Sequence, residues 1–123
     1  MFQEDRLLPW LSAAENIECV IPLKKTERKA RALSLLELVG LKGNENEQIS
    51  ALSGGMKRRV AFARAIALEP DILLLDEAFT GLDEINRKKL SSLVSDYGKS
   101  HLVVMVTHDS EDVKNLADRV VAM

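Results

Sequence analysis

One cysteine, three prolines and a 4% share of aromatic residues leave this 123-residue chain few ways to hold itself together. A lone Cys19 cannot close an internal disulfide, so stability must come from a hydrophobic core, and a reducing compartment is the simple expectation. No apolar run approaches the ~20 residues that span a bilayer. The start, MFQEDRLLPW, lacks the basic and then apolar order of a secretory signal. Any membrane role is therefore expected to pass through a partner. An excess of one charge sign is missing too: the formal net charge is −2, which excludes nucleic-acid binding by bulk charge. There is no internal repeat and no low-complexity stretch. What is present, 46% hydrophobic and 29% charged residues, is the composition of a globular domain of ordinary size.

The front half reads as helical. Ser12 and Glu15 form an S-x-x-E capping box, which predicts a short helix from about Ala13 to Cys19, ending before Pro22. A second helix is expected from about Thr26, with Ala32, Leu35, Leu36 and Val39 on one face and Gly40 at its end. After the polar stretch KGNENEQ (42–48), a third helix should run from about Met56 to Leu68 and close at Pro70. RLLPWL (6–11) is dense in apolar residues. Pro9 disfavours helix at Leu8, so the stretch should run extended, with Leu11 in the core and Trp10 partly exposed.

The back half reads differently. DILLLDE (71–77) and HLVVMVTHD (101–109) are short unbroken apolar runs, expected of parallel strands buried on both faces. Between them NRKKLSSLVSDYG (86–98) has helical spacing, with Leu90, Leu93, Val94 and Tyr97 inward. SEDVKNLAD (110–118) predicts another helix on Val113, Leu116 and Ala117, and RVVAM (119–123) a third strand. The strand–helix alternation gives an α/β class with a parallel sheet.

Ligands of open parallel sheets bind beyond the carboxyl ends of the strands. The first strand delivers Asp76 and Glu77 there; the second delivers Thr107, His108 and Asp109. Asp76, after four aliphatics, suits a hard cation such as Mg²⁺. Glu77 could orient or deprotonate a water, and His108 could contact a developing anion. A lone Asp-Glu pair would simply begin a solvated loop, and a lone histidine is commonly structural. Two adjacent strands ending alike favour function. Upstream, LSGGMKRR (52–59) puts Ser53, Gly54 and Gly55 at a helix start, where backbone N–H groups are open to an anion. The alternative is a plain Ser N-cap with a flexible glycine pair. Lys57, Arg58 and Arg59 read as a solvated face, although bases are disfavoured so near a helix N-terminus.

Taken in order, these stretches resemble the nucleotide-binding domain of ABC transporters. LSGGM (52–56) is similar to the signature motif, ILLLDE (72–77) to Walker B with its catalytic Glu, and TGLD (80–83) to the D-loop. VTHD (106–109) is similar to the switch-histidine loop and FQ (2–3) to the Q-loop. FQEDRLLPWLSAAENI (2–17) resembles the importer branch for nitrate, sulfonate, taurine and similar small oxyanions. The resemblance implies a partial P-loop NTPase domain. Residues 1–69 would be the Q-loop and helical subdomain, and 70–123 part of the α/β ATPase core. It implies ATP and Mg²⁺ as cofactors, with Gln3 at the metal or lytic water and Asp76 holding Mg²⁺ through water. Glu77 would be the general base and His108 a contact to the γ-phosphate. Ser53, Gly54 and Gly55 would grip an ATP held mainly by a second nucleotide-binding subunit, with Asp83 acting across that interface. A membrane permease subunit would be the other partner, near Trp10, and the location cytoplasmic at the inner face of the membrane. Met56 stands where many members carry Gln.

One element of that family is missing from the sequence: no G-x-x-x-x-G-K-[ST] phosphate loop occurs. GKS (98–100) has its tail, but Leu93 occupies the first-Gly position and the stretch follows a helix rather than a strand. The aromatic residue that stacks on adenine in the family is absent as well. The expectation is therefore the middle-to-late part of a nucleotide-binding domain, inactive by itself. Alternatives are a non-catalytic docking or signature module and a non-transport ATPase of the same family. The compact segment between FQ and LSGG favours the transporter class.

Overall fold

A computed structural model describes Met1 and residues 4–121. The elements are α1 (Ala13–Glu18), α2 (Lys25–Leu38), a short 3-10 turn (Ile49–Ala51), α3 (Gly54–Ile66), β1 (Ile72–Asp76), α4 (Glu84–Gly98), β2 (Leu102–Val106) and α5 (Ser110–Leu116). Phe2 and Gln3 lie outside the described residues, so the FQ pair has no structural counterpart here. The expected strand at 119–123 is not formed at 119–121, and 122–123 are outside the described residues.

Local chemistry explains most helix boundaries. At α1 the capping box closes in both directions: the Glu15 N–H donates to Ser12 Oγ at 3.2 Å and the Ser12 N–H donates to Glu15 Oε2 at 2.7 Å. At the end of α2 the chain turns left-handed at Gly40, φ +75°. The Leu41 N–H then reaches back to the Leu36 carbonyl at 2.8 Å, with both leucines buried. Ser53, Asp83 and Asp109 cap α3, α4 and α5 through their side chains. The RLLPWL stretch does not run extended as expected: Arg6 is left-handed, φ +48°, and the chain turns at Pro9–Trp10, where the Leu11 N–H bonds the Leu8 carbonyl. Trp10 is 71% exposed, as its sequence suggests, whereas Leu11, expected in the core, is half-buried.

β1 and β2 pair in parallel, Ile72 opposite Leu102 through Asp76 opposite Val106, and the chain crosses between them through α4. Met1 lies on the other edge of β1, its amino group donating to the Leu74 carbonyl at 2.7 Å and its carbonyl accepting from the Asp76 N–H at 3.0 Å. One continuous core joins helices and sheet: Ile17, Leu36, Val60, Phe62, Leu73, Leu75, Phe79 and Leu90 are all buried in it. The sheet is covered on one face only. Leu73 and Leu75 point inward, but Ile72, Leu74, Leu102, Val104 and Val106 are 44–60% exposed. This corrects the expectation of strands buried on both faces: the apolar run is unbroken, yet no described element packs on its second side.

The helix after β2 keeps Leu116 against the core as expected, with Val113 half-buried, but Ala117 is exposed. Asp112, not Val113 or Ala117, is its buried residue, at 4% exposure.

Candidate functional site

Both strand ends deliver side chains to one place. The Glu77 N–H continues the ladder by donating to the Val106 carbonyl at 2.9 Å, which sets the start of the 77–80 turn against the start of the 107–109 loop. Glu77 then adopts φ +49°, a left-handed backbone for a residue that is not glycine. In that pose its carboxylate reaches two groups. Oε1 lies 2.7 Å from His108 Nδ1, and Oε2 accepts from Thr80 Oγ1 at 3.1 Å. The hydrogen bond from His108 holds the Glu77 carboxyl below the ordinary carboxylate range, with Thr80 adding to it. The His108 ring is 84% exposed and Glu77 is half-buried, so the pair faces open space beyond the sheet.

Asp76 is exposed at the last residue of β1, and no side-chain hydrogen bond among the described residues engages its carboxylate. No cluster of three or more His, Cys, Asp or Glu ligands exists among the described residues. One exposed carboxylate at a strand end fits Mg²⁺, which keeps several waters and takes one or two carboxylates together with substrate phosphates. It does not fit a cage built wholly from this chain's described side chains.

The loop carrying His108 is held from α4. Arg87 Nη1 contacts Asp109 Oδ2 at 2.9 Å and Asp112 Oδ1 at 2.7 Å. Thr107 Oγ1 donates to Asp112 Oδ2 at 3.2 Å and accepts from the Asp109 N–H at 3.1 Å. Burial pushes the Asp112 carboxyl up, opposed by Arg87, whereas the Glu111 N–H and then Arg87 hold Asp109 down. Sequence reading found Thr107, His108 and Asp109 but missed Arg87 and Asp112. The signal available for Asp112 was its place one turn into a helix capped by Asp109, which is weak.

Ser53, Gly54 and Gly55 begin α3 as expected, with Ser53 Oγ accepting from the Met56 N–H at 3.2 Å. Gly54 is exposed, and nothing lies within 4 Å of where its Cβ would stand. No hydrogen bond or ion pair among the described residues joins this turn to Glu77 or His108. Asp83 caps α4, accepting from the Asn86 N–H at 2.8 Å. Gln3 lies outside the described residues.

The bases after the glycines correct the sequence reading. Arg58 and Arg59 are each 8% exposed and point inward, not to solvent. Arg59 donates to the Val39 carbonyl at 3.0 Å, neutralising the C-terminal end of α2. Arg58 pairs with Asp5 Oδ1 at 3.0 Å and donates to the Thr80 carbonyl at 3.2 Å, linking the N-terminal segment to the 80–83 loop. Arg64 holds the same segment through the carbonyls of Asp5 and Arg6. These charges at a helix start have internal partners, so they need no phosphate. Sequence reading also missed Asn16, fully buried in α1. It accepts from the Leu8 N–H at 2.8 Å and donates to the carbonyls of Leu8 and Ser12, fixing the turn that displays Trp10.

A cleft of about 620 Å³ opens elsewhere, at the N-terminal ends of the strands, between Arg31, Leu38, Glu69, Tyr97 and His101. Parallel sheets bind ligands at the opposite end, so the cleft does not compete with the Glu77–His108 site. No helix among the described residues is long and apolar enough to cross a membrane.

The family model described as "ABC transporter" matches residues 1–80. The aliphatic sulfonates import ATP-binding protein SsuB 1 of Rhodococcus jostii is 45% identical over 125 aligned positions, covering 100% of this chain and 49% of that protein. The taurine import ATP-binding protein TauB of Pseudomonas aeruginosa is 39% identical over 128 positions, covering 100% and 49%. Among solved structures, the ATP-binding cassette MJ0796 in a dimeric post-hydrolysis state bound to ADP and Pi superposes with a TM-score of 0.79 at 34% identity. That match covers 93% of this chain and 54% of the cassette. The chain thus spans about half the length of the curated relatives it matches.

Proposed function

This chain belongs to the ABC transporter family, and on that footing we propose that it serves in the ATP-hydrolysing subunit of an importer for small sulfonate-like oxyanions. The observation that carries the reading is the contact between Glu77 and His108 across two parallel strand ends, 2.7 Å between Oε1 and Nδ1. The chemistry of phosphoryl transfer to water needs a group that orients the nucleophile and groups that meet charge on the transferred phosphoryl. Glu77, held ionised by its hydrogen bonds, is suited to orient and deprotonate a water. His108, mostly exposed and tied to Glu77, faces the space where the γ-phosphate would lie. Asp76 would hold Mg²⁺ through water, and that ion would supply charge neutralisation at the phosphates. Gln3 is assigned to the same metal or to the lytic water, from its place in the motif.

Ser53, Gly54 and Gly55 are assigned to the γ-phosphate of an ATP on a second subunit, and Asp83 to the contact across that interface. The open space at Gly54 and the exposed Ser53 support this. The second partner is a permease, which places the subunit in the cytoplasm at the inner face of the membrane. The importer names of the similar proteins support this reading over a docking module or a DNA-repair or translation ATPase. Solute identity is read from those names alone, since nothing in the site contacts solute.

The test is Glu77→Gln in a complete subunit carrying this sequence. ATP binding, measured by equilibrium dialysis, should persist. Steady-state hydrolysis should fall by a factor of about 10² or more, the scale of general-base contributions. Unchanged hydrolysis would remove Glu77 from the role.

A further inference from the structure

Gly54 and Gly55 are neighbours in sequence and opposites in surroundings. Open space lies where a Cβ on Gly54 would stand, while a Cβ on Gly55 would overlap the carboxamide of Asn86. Gly54 is exposed and Gly55 is buried. A glycine within a helix is less stable than alanine by about 0.5–1 kcal/mol, so each needs a compensating reason. For Gly54 the reason is outside the molecule, an open approach to its amide. For Gly55 it is inside.

Asn86 is tethered where it sits. Its Nδ2 donates to Asp83 Oδ1 at 3.0 Å, and the same oxygen accepts the Asn86 N–H at 2.8 Å. The carboxamide therefore sits between the Asp83 carboxylate and the Cα of Gly55, joining the first turn of α4 to the first turn of α3. Arg58, one turn along α3, donates to the Thr80 carbonyl and ties the same loop to the same helix from the other end.

We propose that Asn86 is a positioning residue: seated on Gly55 and bound to Asp83, it fixes the Ser53–Gly55 turn against the 80–83 loop, so that the open amide of Gly54 and the Asp83 carboxylate are presented as one unit. The inference rests on the proposed nucleotide role of Ser53–Gly55. It deepens that role by separating the two glycines: Gly54 is kept bare for the ligand, and Gly55 is kept bare for Asn86. A methyl group at Gly55 then acts by evicting Asn86, and shortening Asn86 makes room for it.

The experiment is a rescue. Gly55→Ala, Asn86→Ala and the double variant are made in a complete subunit carrying this sequence, and kcat and KM for ATP are measured. Gly54→Ala is made with and without Asn86→Ala as the control. Contacts coupled in this way carry a factor of roughly 2 to 100. Gly55→Ala should lower kcat by about tenfold or more, Asn86→Ala alone by a smaller factor, and the double variant should rise only to the level of Asn86→Ala; an Asn86→Ala variant with unchanged kcat overturns the positioning role. The loss caused by Gly54→Ala should be unaffected by Asn86→Ala. A double variant no better than Gly55→Ala overturns the inference, as does a harmless Gly55→Ala. A harmless Gly54→Ala instead overturns the nucleotide reading beneath it. If Gly55→Ala folds poorly, recovery of its thermal transition by Asn86→Ala supports the inference and failure to recover contradicts it. In the 123-residue chain, the Asn86 carboxamide and Asp83 amide resonances should move in Gly55→Ala and stay in place in Gly54→Ala.

Discussion

Glu77 shows how one residue can be both strained and useful. A left-handed backbone costs a non-glycine residue about 1–2 kcal/mol, and here it follows directly on a strand buried on one face. The N–H bond to Val106 and the side-chain bonds to His108 and Thr80 hold the residue in that pose. The bonds from His108 and then Thr80 keep its carboxyl below the ordinary value of 4.5. A carboxyl whose folded-state value is depressed stabilises the fold above its unfolded value, and loses that contribution as pH falls through the folded one. Wild type should therefore exceed Glu77→Gln in urea midpoint at neutral pH, with the gap closing as pH drops below about 4. A gap that stays constant through that range would mean the Glu77 carboxylate carries no net pairing in the fold. The buried arginines belong to this scale as well. Nothing in the spacing of Lys57, Arg58 and Arg59 separates an inward base from an outward one. The partners of the two arginines, Val39 for Arg59 and Asp5 and Thr80 for Arg58, lie at distances along the chain that a periodic pattern does not encode.

At the scale of elements, most helix ends and strand ends were legible and the buried polar groups of helices were less so. Ser12, Gly40 and Ser53 act through backbone groups a few residues away, so their chemistry is local and readable, whereas the Asp83 cap, which starts α4 at Glu84, was missed in a helix read as 86–98. The burial of Asp112 in α5, beside the expected Leu116, goes with its bond to Arg87, more than twenty residues upstream. The sheet departs in a different way. An unbroken run such as ILLL indicates what the strand could bury on each side, and among the described residues only one side is buried. The outward face of Ile72, Leu74, Leu102, Val104 and Val106 is a contiguous apolar patch of the kind that drives association. The 123-residue chain should therefore form dimers or larger species in sedimentation velocity as concentration rises. Leu74→Lys with Val104→Lys should shift it towards monomer, since neither side chain contributes to the buried face. A wild-type chain that stays monomeric at high concentration would count against association through this face.

For the whole molecule, the arrangement separates a chemical end from a display end. Glu77 and His108 lie at the carboxyl ends of the strands, while Asn16, Arg58 and Arg64 lock the N-terminal segment so that Trp10 projects outward. Exposed aromatics on a fixed turn are the usual anchors of partner interfaces. Trp10→Ala in a complete subunit should weaken co-purification with the permease, by about 2 kcal/mol or more, and leave nucleotide binding intact. Equal recovery of the complex would remove Trp10 from the interface. The chemical end, in turn, has the Glu77 carboxylate, proposed to orient water, and a histidine, but these 123 residues contain no G-x-x-x-x-G-K-[ST] loop to cradle phosphates. Among the described residues the structure adds no substitute: Arg58 and Arg59 beside the glycines face inward, and GKS at 98–100 closes α4 just ahead of β2, at the opposite end of the strands from Glu77 and His108. Steady-state phosphate release by this chain alone, with Glu77→Gln as the reference, tests that division most directly. Release at background for both proteins is the expected result; release above background that Glu77→Gln abolishes would contradict it.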